Sequence, residues 1–583
     1  MIKKTTTILK VFLLLLFTTN TFSQNFEWAN RIGSATHDEG EEVVVDNNGN
    51  VYAIGYFKGI LEFDQPNIPQ LESNGDRDIL IQKMDSNGSL IWAKHIGGTE
   101  EDLAASMVID NSDNLYITGS FRGTMDFDPG TGQTLLSSQG EEDIFVLKMN
   151  SDGDLLWAKG IGGTGKDGGN NLALDSAGYV YTTGEYVGSV DFDLGAGEAI
   201  LTTTARLSFF MQKLDTKGNL IWAKDFGFTP EGAIAISANG DIYRTGYYSG
   251  TVDFDPGAGE TILSPVSTPN APGPLPDAFI QKLDANADLI WVKSYGGPGF
   301  EVGASIGLDA NGYVYTTGGF EGTIDFDLGP KQVFLTAKAN NPHFWLQTMF
   351  IQKLDEDGNL IWAKASDVTP DVSMKIDDNG NIYRTGYFLG TQDFDPGSAT
   401  VSLTTKGGAQ GDLYDGDTFI QKLDTNGNFV WVSSVGGKRD DFSYSIALDG
   451  NNIYTTGFFG DTVDFNPEIG SFDLKAKGSG DIFVQKLSEV VKGTGSEEDE
   501  MPIVFPNPAD KILHLSMPDC QVADKDGQIT ILDANGIVIP ITPIVSKNSK
   551  ACLDFEVREL VPGLYFVKIR KGDQVTILRF IKK

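Results

Sequence analysis

Histidine and cysteine are scarce in this chain, four residues of one and two of the other. The histidines, at 37, 95, 343 and 514, are scattered without metal-ligand spacing, and both cysteines lie near the C-terminus. This argues against a zinc site or a Cys–His nucleophile in the body of the chain. Positive charge is short as well: 44 Lys and Arg face 80 Asp and Glu, a formal net charge of −36. Such a surface repels phosphate backbones and anionic lipid heads, so nucleic acid is not an expected partner. Beyond the N-terminus no segment reaches about 18 uninterrupted apolar residues, so no transmembrane span is expected in the mature protein. No stretch keeps a helical period, which leaves an all-β chain as the expected class.

The N-terminus reads as a signal peptide over residues 1–23. Lys3 and Lys4 supply the charged start, Val11 to Phe17 is an apolar run too short to span a bilayer, and Thr21 and Ser23 precede an expected cut at Gln24. No cysteine lies there, so a lipid-anchored form is not expected.

Self-similarity dominates residues 24–487. A Tyr-x-x-Gly run occurs seven times, beginning at Tyr52, Tyr116, Tyr181, Tyr243, Tyr315, Tyr383 and Tyr454. An Asp-Phe-Asp turn, a Gln-Lys-Leu run and a tryptophan run accompany it, the tryptophans being 28, 92, 157, 222, 291, 362 and 431. Each repeat holds four β-branched and aromatic runs bounded by Asn, Asp and Gly: A at 42–46, B at 50–57, C at 79–85 and D at 89–96 in the first. Four antiparallel strands repeated seven times predict a seven-bladed β-propeller. An open solenoid is the alternative. The first D run, with Trp28, precedes any A run, and the last repeat ends after its C run at Leu487. The N-terminal strand is therefore expected to complete the last blade beside Ile482 to Leu487, which would close the ring and hide its edges.

The pattern stops after Leu487. Residues 488–501 form a Gly, Ser and acidic linker, and 502–583 a small all-β domain, expected as a β-sandwich. Phe505-Pro506-Asn507-Pro508, Ile529 to Gly536, Leu560 to Ile569 and the closing Phe580-Ile581-Lys582-Lys583 resemble a type A C-terminal sorting domain of the type IX secretion system. The resemblance implies export across the outer membrane of a Bacteroidota-type bacterium, handled by the type IX machinery through residues 502–583. It further implies removal of the tail and release or attachment at the cell surface. Residues 26–487 similarly resemble the bacterial seven-bladed propeller repeats (SBBP-type) of such exported proteins, a family that carries no single activity. Cys520 and Cys552, both in the tail, are either a disulfide or two buried thiols.

Candidate chemistry is thin. Gly303-Ala304-Ser305-Ile306-Gly307 fits the nucleophile-elbow pattern but opens an A strand with no helix after it. The glycine-rich stretch from Gly163 to Gly168 fits a dinucleotide fingerprint but joins two antiparallel strands. The Asp-Phe-Asp-Pro-Gly turns place two carboxylates on one face, a donor set that suits Ca²⁺: Asp126 and Asp128, Asp191 and Asp193, Asp253 and Asp255, Asp325 and Asp327, Asp393 and Asp395. The same carboxylates also suit capping of backbone N–H groups in turns.

Length variation points to one face. The C–D hairpin is constant, whereas the B–C links vary, and the three longest belong to consecutive repeats, 263–277, 336–349 and 404–417. In an up-and-down blade the B–C and D–A links share one end. The long links carry His343, Phe344, Trp345 and Tyr414, an expected site for an extracellular glycan or protein. The expected function is thus an exported, non-catalytic binding or scaffold propeller. The alternative is a propeller enzyme on extracellular polysaccharide, a hydrolase or lyase, which would need an unmatched His, Tyr, Arg and Glu set converging on the axis. A quinone-cofactor propeller is a distant third.

Overall fold

The B run of the first repeat, Val-Tyr-Ala-Ile-Gly-Tyr-Phe, alternates little in polarity, and every residue of strand Val51–Phe57 is buried. Strand C, Asp78–Met84, is buried throughout as well. Strands buried on both faces read as continuous apolar runs because neighbouring layers cover them on each side. The D strand Leu90–Ile96 is only partly covered. A strands run at the other edge, Glu39–Val45 in repeat 1. The structure, a computed structural model, describes residues 21–63, 68–266, 275–297, 299–329, 331–337, 348–366, 373–407, 416–467, 471–492, 503–505, 509, 511–516, 529–533, 538–541, 544–545, 553–571 and 574–582.

Among these residues the repeats form antiparallel four-stranded groups in the order A-B-C-D, and no helix occurs. Repeat 7 takes its D strand from the N-terminus: Asp441–Asp449, Asn452–Phe459 and Asp481–Lys492 are followed in the sheet by Thr21–Gly33. That strand begins three positions before the expected cleavage at Gln24 and also pairs with repeat 1, Ile32 opposite Phe63. Arg31 Nη1 lies 2.9 Å from Asp481 Oδ2, both side chains buried.

The Tyr-x-x-Gly glycine has a steric cause. Each A strand carries a bulge that leaves one residue outside the ladder: Glu41, Ala105, Asn170, Gly232, Ala304 and Tyr444. The bulge presses a carbonyl onto strand B. A Cβ on Gly55 would stand 2.1 Å from the Glu39 carbonyl oxygen, and one on Gly119 would stand 2.0 Å from that of Leu103.

The B–C links differ from the expectation of simple loops. Each holds a two-stranded antiparallel ribbon, such as Thr124–Asp126 with Leu135–Ser137. The ribbons are three residues a side or shorter, below the length at which alternation is readable, and the Asp-Phe-Asp turn closes them. The Phe is the reason they stay docked: Phe127 is fully buried and meets Phe121 edge-on at 5.2 Å and Phe145 at 5.4 Å.

Apolar clusters join successive repeats. Tyr52, Ile54, Ile79 and Ile81 of repeat 1 pack with Met107, Leu115 and Phe145 of repeat 2. Ala447, Tyr454, Ile482 and Val484 of repeat 7 pack with Val43, Val51 and Leu80 of repeat 1, with Trp28 and Ile32 between them. The A strands are neighbours throughout, repeat 1 with 2, 2 with 3, and so on to 7, and the A strand of repeat 7 lies against that of repeat 1.

Two compact bodies divide the chain, Asn25–Ser488 and the C-terminal part from Glu489. The latter has two four-stranded sheets, one built on Ile512–Ser516 and Leu553–Glu556, the other on Ile529–Asp533, Gly563–Lys571 and Gln574–Lys582. Leu513, Leu515 and Phe555 of the first share a core with Ile531, Val567 and Phe580 of the second. Cys520, Cys552 and most of the linker lie outside the described residues.

Candidate functional site

Most polar side chains of the repeats hold the scaffold. In the Asp-Phe-Asp turns the first carboxylate accepts two backbone N–H groups: Asp126 Oδ1 takes those of Asp128 at 3.1 Å and Thr134 at 2.7 Å. Asp191, Asp253, Asp325 and Asp393 do the same in their repeats. The second carboxylate accepts the glycine two positions on, Asp128 from Gly130 and Asp193, Asp255, Asp327 and Asp395 likewise. These are turn caps. The pairs stand one to a repeat, and among the described residues no group of three or more His, Cys, Asp or Glu is placed to hold a metal ion.

The tryptophans latch one repeat to the next. Trp92 Nε1–H donates to the Ser151 carbonyl at 3.3 Å, and Trp157, Trp222, Trp291 and Trp362 reach the corresponding C–D turn. Trp28 donates to Ser86 of repeat 1 at 3.2 Å, so the N-terminal strand latches repeat 7 to repeat 1. Ser305 opens the A strand Val302–Leu308, and Gly163 donates its N–H to Asp167, so neither glycine-containing motif forms a catalytic or nucleotide-binding turn. A recess of about 160 Å³ beside repeat 3 is lined by Lys159, Asp193 and Gly218, and Lys94 and Gly153 meet in the same way one repeat earlier.

The end carrying the D–A and B–C links holds buried carboxylates. Asp102 Oδ2 accepts the Gly98 N–H at 2.6 Å and Oδ1 the Arg122 N–H at 3.1 Å, tying the D–A link to the end of strand B. Asp38, Asp167 and Asp441 repeat this, with Glu301 in repeat 5. Burial pushes Asp102 up to about 6 and Glu301 and Asp441 up to about 8. Repeat 4 solves the position differently. Its D–A link is shorter, Thr229 replaces the acid, and a fully buried Arg244 rises from strand B. Arg244 bonds Glu231, Thr229 (3.1 Å) and Gln281 (2.5 Å), and its guanidinium lies 4.1 Å from the Phe226 ring centre. Repeat 6 carries Arg384, equally buried and bonded to Gln421.

One place breaks the repeat with side chains that converge. At the junction of repeats 7 and 1, on that same end, His37 Nε2 lies 2.5 Å from Glu39 Oε1. The hydroxyls of Tyr56 and Tyr444 donate to the same carboxylate. Burial alone would raise Glu39, but these bonds and the charges of His37 and Arg77 outweigh it and hold the carboxyl below the ordinary glutamate range. Two positions on, Glu41 occupies the bulge. Burial and the charges of Glu39 and Glu42 push it up to about 8. Glu42 is committed elsewhere: its Oε2 accepts Ser106 Oγ–H and the Met107 N–H, both at 2.9 Å, across to repeat 2. An aromatic shelf continues into repeats 7 and 6. His37 meets Phe458 edge-on at 4.8 Å, Phe458 meets Phe442 at 5.2 Å, and Phe442 stacks on Tyr387 at 4.1 Å. Arg77 lies over the Tyr56 ring at 4.8 Å.

None of the acids has a counterpart in the other repeats. Where Glu39 stands, they have Leu103, Gly168, Pro230, Val302 and Phe442; where Glu41 stands, Ala105, Asn170, Gly232, Ala304 and Tyr444. Aligning the repeats position by position would have exposed Glu-Gly-Glu-Glu as the outlier. Composition and motif spacing pass over it. His343, Phe344, Trp345 and Tyr414, the expected aromatic site, lie outside the described residues; the links that carry them leave from ribbon strands Phe334–Thr336 and Ser402–Thr404.

Among curated proteins, an uncharacterized WD repeat-containing protein, L264, of Acanthamoeba polyphaga mimivirus is 22% identical over 503 residues, covering 73% of this chain and 35% of its own length. The regulatory protein FlaEY of Caulobacter vibrioides is 28% identical over 156 residues, 25% of this chain and 16% of its own. The chain thus spans about a third or less of these relatives. Among solved structures it is similar to the WD40 β-propeller domain of Doa1, at 9% identity and a TM-score of 0.38, covering 79% of this chain and 98% of that one. The Dos1 propeller gives 8% and 0.36, covering 78% and 94%. Among the described residues no helix is long and apolar enough to cross a membrane. Residues 503–583 match the secretion system C-terminal sorting domain, so the chain carries the tail of a type IX-exported protein, bound for the cell surface or the outside.

Proposed function

We propose that residues 24–487 form a closed seven-bladed β-propeller that acts as an exported binding protein, taking an extracellular glycan or protein at the mouth where blades 6, 7 and 1 meet. The A strands that neighbour one another from repeat 1 to 7 and back to 1 support closure. The strand exchange from the N-terminus supports it too, since an exchanged strand removes the free edges of an open array. The observation that carries the binding site is the convergence of Glu39, Glu41, His37, Tyr56 and Tyr444 beside a shelf of aromatic rings, in the one seam where the repeat is broken. Aromatic faces next to fixed polar groups suit sugars and protein hot spots. Trp345 and Tyr414 belong to this reading as residues of links on the same end, over the same face. The signal peptide over residues 1–23 and the sorting tail, expected as a β-sandwich, supply the route out of the cell.

A second reading is a propeller hydrolase or lyase on extracellular polysaccharide. It is favoured by one feature: adjacent carboxyls whose surroundings drive them apart, Glu39 held ionised and Glu41 raised to about 8.

The test is a glycan and extracellular-protein array with the full chain and its Glu39→Gln and Tyr444→Ala variants. Binding by the wild type that falls at least about tenfold in both variants, with melting temperatures kept, is the expected result. Undiminished binding by both variants would place the ligand elsewhere. Turnover of a bound polysaccharide that stops in Glu41→Gln would favour the enzyme.

A further inference from the structure

The mouth has an imbalance of charge that its own residues do not correct. Glu39 is served by three donors, His37, Tyr56 and Tyr444. Glu42 is served by Ser106 and the Met107 N–H. Glu41 stands between them and, among the described residues, meets no hydrogen-bond donor and no cation; the charges it feels are those of Glu39 and Glu42, both negative. Its neighbours from strand B of repeat 1 and strand A of repeat 7 are Tyr56 and Tyr444, neutral hydroxyls already turned to Glu39. Arg77 faces Glu39 but ion-pairs with Glu101 at 3.2 Å, away from Glu41. A carboxyl in such surroundings keeps its proton, or gains a cation from outside.

The surroundings also specify the kind of cation. A bare metal ion would want six or so oxygens, and the carboxylates here are mostly taken. The rings offer flat π faces instead. The site already accepts one guanidinium in this manner, Arg77 over Tyr56 at 4.8 Å. The stacked Tyr387 and Phe442, with Tyr444 6.5 Å from Phe442, continue the same surface beyond it. A planar guanidinium stacks on aromatic faces and bonds carboxylates edge-on, so carboxyl and shelf together fit it better than a neutral sugar hydroxyl.

Resting on the reading of the mouth as the ligand site, we propose that it recognises an arginine side chain of an extracellular protein, its guanidinium between Glu41 and the aromatic rings of Tyr444 and Phe442. Binding then displaces the Glu41 proton. At pH 7 a carboxyl raised to about 8 is mostly protonated, so close to one proton, about 0.9, leaves for each guanidinium bound.

Titration calorimetry tests this with the full chain and the probe acetyl-Gly-Arg-Gly-amide, against the same peptide with citrulline for arginine. Run at pH 7 in two buffers of different ionisation enthalpy, the arginine peptide should bind with a heat that depends on the buffer. The citrulline peptide, isosteric and uncharged, should bind at least about tenfold more weakly. Glu41→Gln imitates the protonated acid and should keep its melting temperature, weaken the arginine peptide about tenfold and abolish the buffer dependence. Equal affinity for the two peptides, a heat independent of buffer in the wild type, or no arginine binding at all overturns the inference. In each of those cases the array result with Glu39→Gln and Tyr444→Ala decides separately whether the mouth is a ligand site.

Discussion

The two ends of the repeat body are built to different rules. At the end carrying the A–B and C–D turns, each repeat does the same thing. Asp46 Oδ1 accepts the N–H groups of Asn48 and Asn50, Asp85 Oδ1 those of Asn87 and Ser89, and glycines 49 and 88 take the positive φ these turns need. The tryptophan latches and the lysines stacked on tyrosines, Lys148 over Tyr116 at 4.5 Å for one, sit at this end too. At the other end, link lengths vary, repeats 4 and 6 replace a buried acid by a buried arginine, and repeat 1 carries acids found nowhere else in the array. The difference teaches that one end fixes the spacing of the repeats, which frees the other to change. A rigid scaffold with variable links is the arrangement on which binding sites are commonly built.

The strand that serves both ends should matter most. Residues 24–33 supply the Trp28 latch at the constant end and the Arg31–Asp481 pair at the variable one. Deleting them should lower the melting temperature by more than about 10 °C, read by calorimetry, because repeat 7 loses its fourth strand and exposes an edge. A melting temperature left unchanged would break the comparison, since the ends would then be held by something else.

Next in size is the arginine of repeat 4. Arg244→Ala strands Glu231 in the core without its partner and should cost about 3–5 kcal/mol in chemical denaturation. The matching change at the long-link repeats, Asp102→Ala, removes a cap that accepts two N–H groups and should cost less, about 1–3 kcal/mol. Equal losses would mean that the two solutions are one.

The smallest effect is in pH, and it belongs to the variable end. Asp38, Asp102, Asp143 and Asp277 are raised to about 6, Asp78 to about 7, and Glu301 and Asp441 to about 8, against ordinary values of 3.8 for aspartate and 4.5 for glutamate. A raised carboxyl stabilises the fold while protonated. That contribution is full below the ordinary values and is lost as pH climbs through 6 to 8. The melting temperature should therefore be higher at pH 5.5 than at pH 8.5, by about 5 °C. A scan that rises toward alkaline pH would contradict the burial of these acids.

Much of the scaffold was legible from the residues. Seven copies of Tyr-x-x-Gly gave the B strands, and the unpaired Trp28 run at one end of the array gave the exchanged strand. The ribbons were not legible, because two or three residues a side carry no period of their own, and Asp-Phe-Asp reads as easily as a metal turn as it does as a cap. The mouth was missed for another reason. His37, Glu39 and Glu41 are ordinary residues in sequence, and what gives them a role is the approach of Tyr444 from repeat 7. Arg31 and Asp481, paired in the same seam, are 450 positions apart, and no local pattern reports such a meeting. The choice of Trp345 and Tyr414 followed link length alone, which identifies the end of the repeat body but not the seam.

Hydrogen–deuterium exchange on the full chain, with and without the partner recovered on the array, tests the central claim most directly. The account predicts slowed exchange in Glu39–Val45 and Asp441–Asp449, the A strands that meet at the mouth, and unchanged exchange in the A–B and C–D turns. Protection confined to those turns, with the two A strands unaffected, would contradict it.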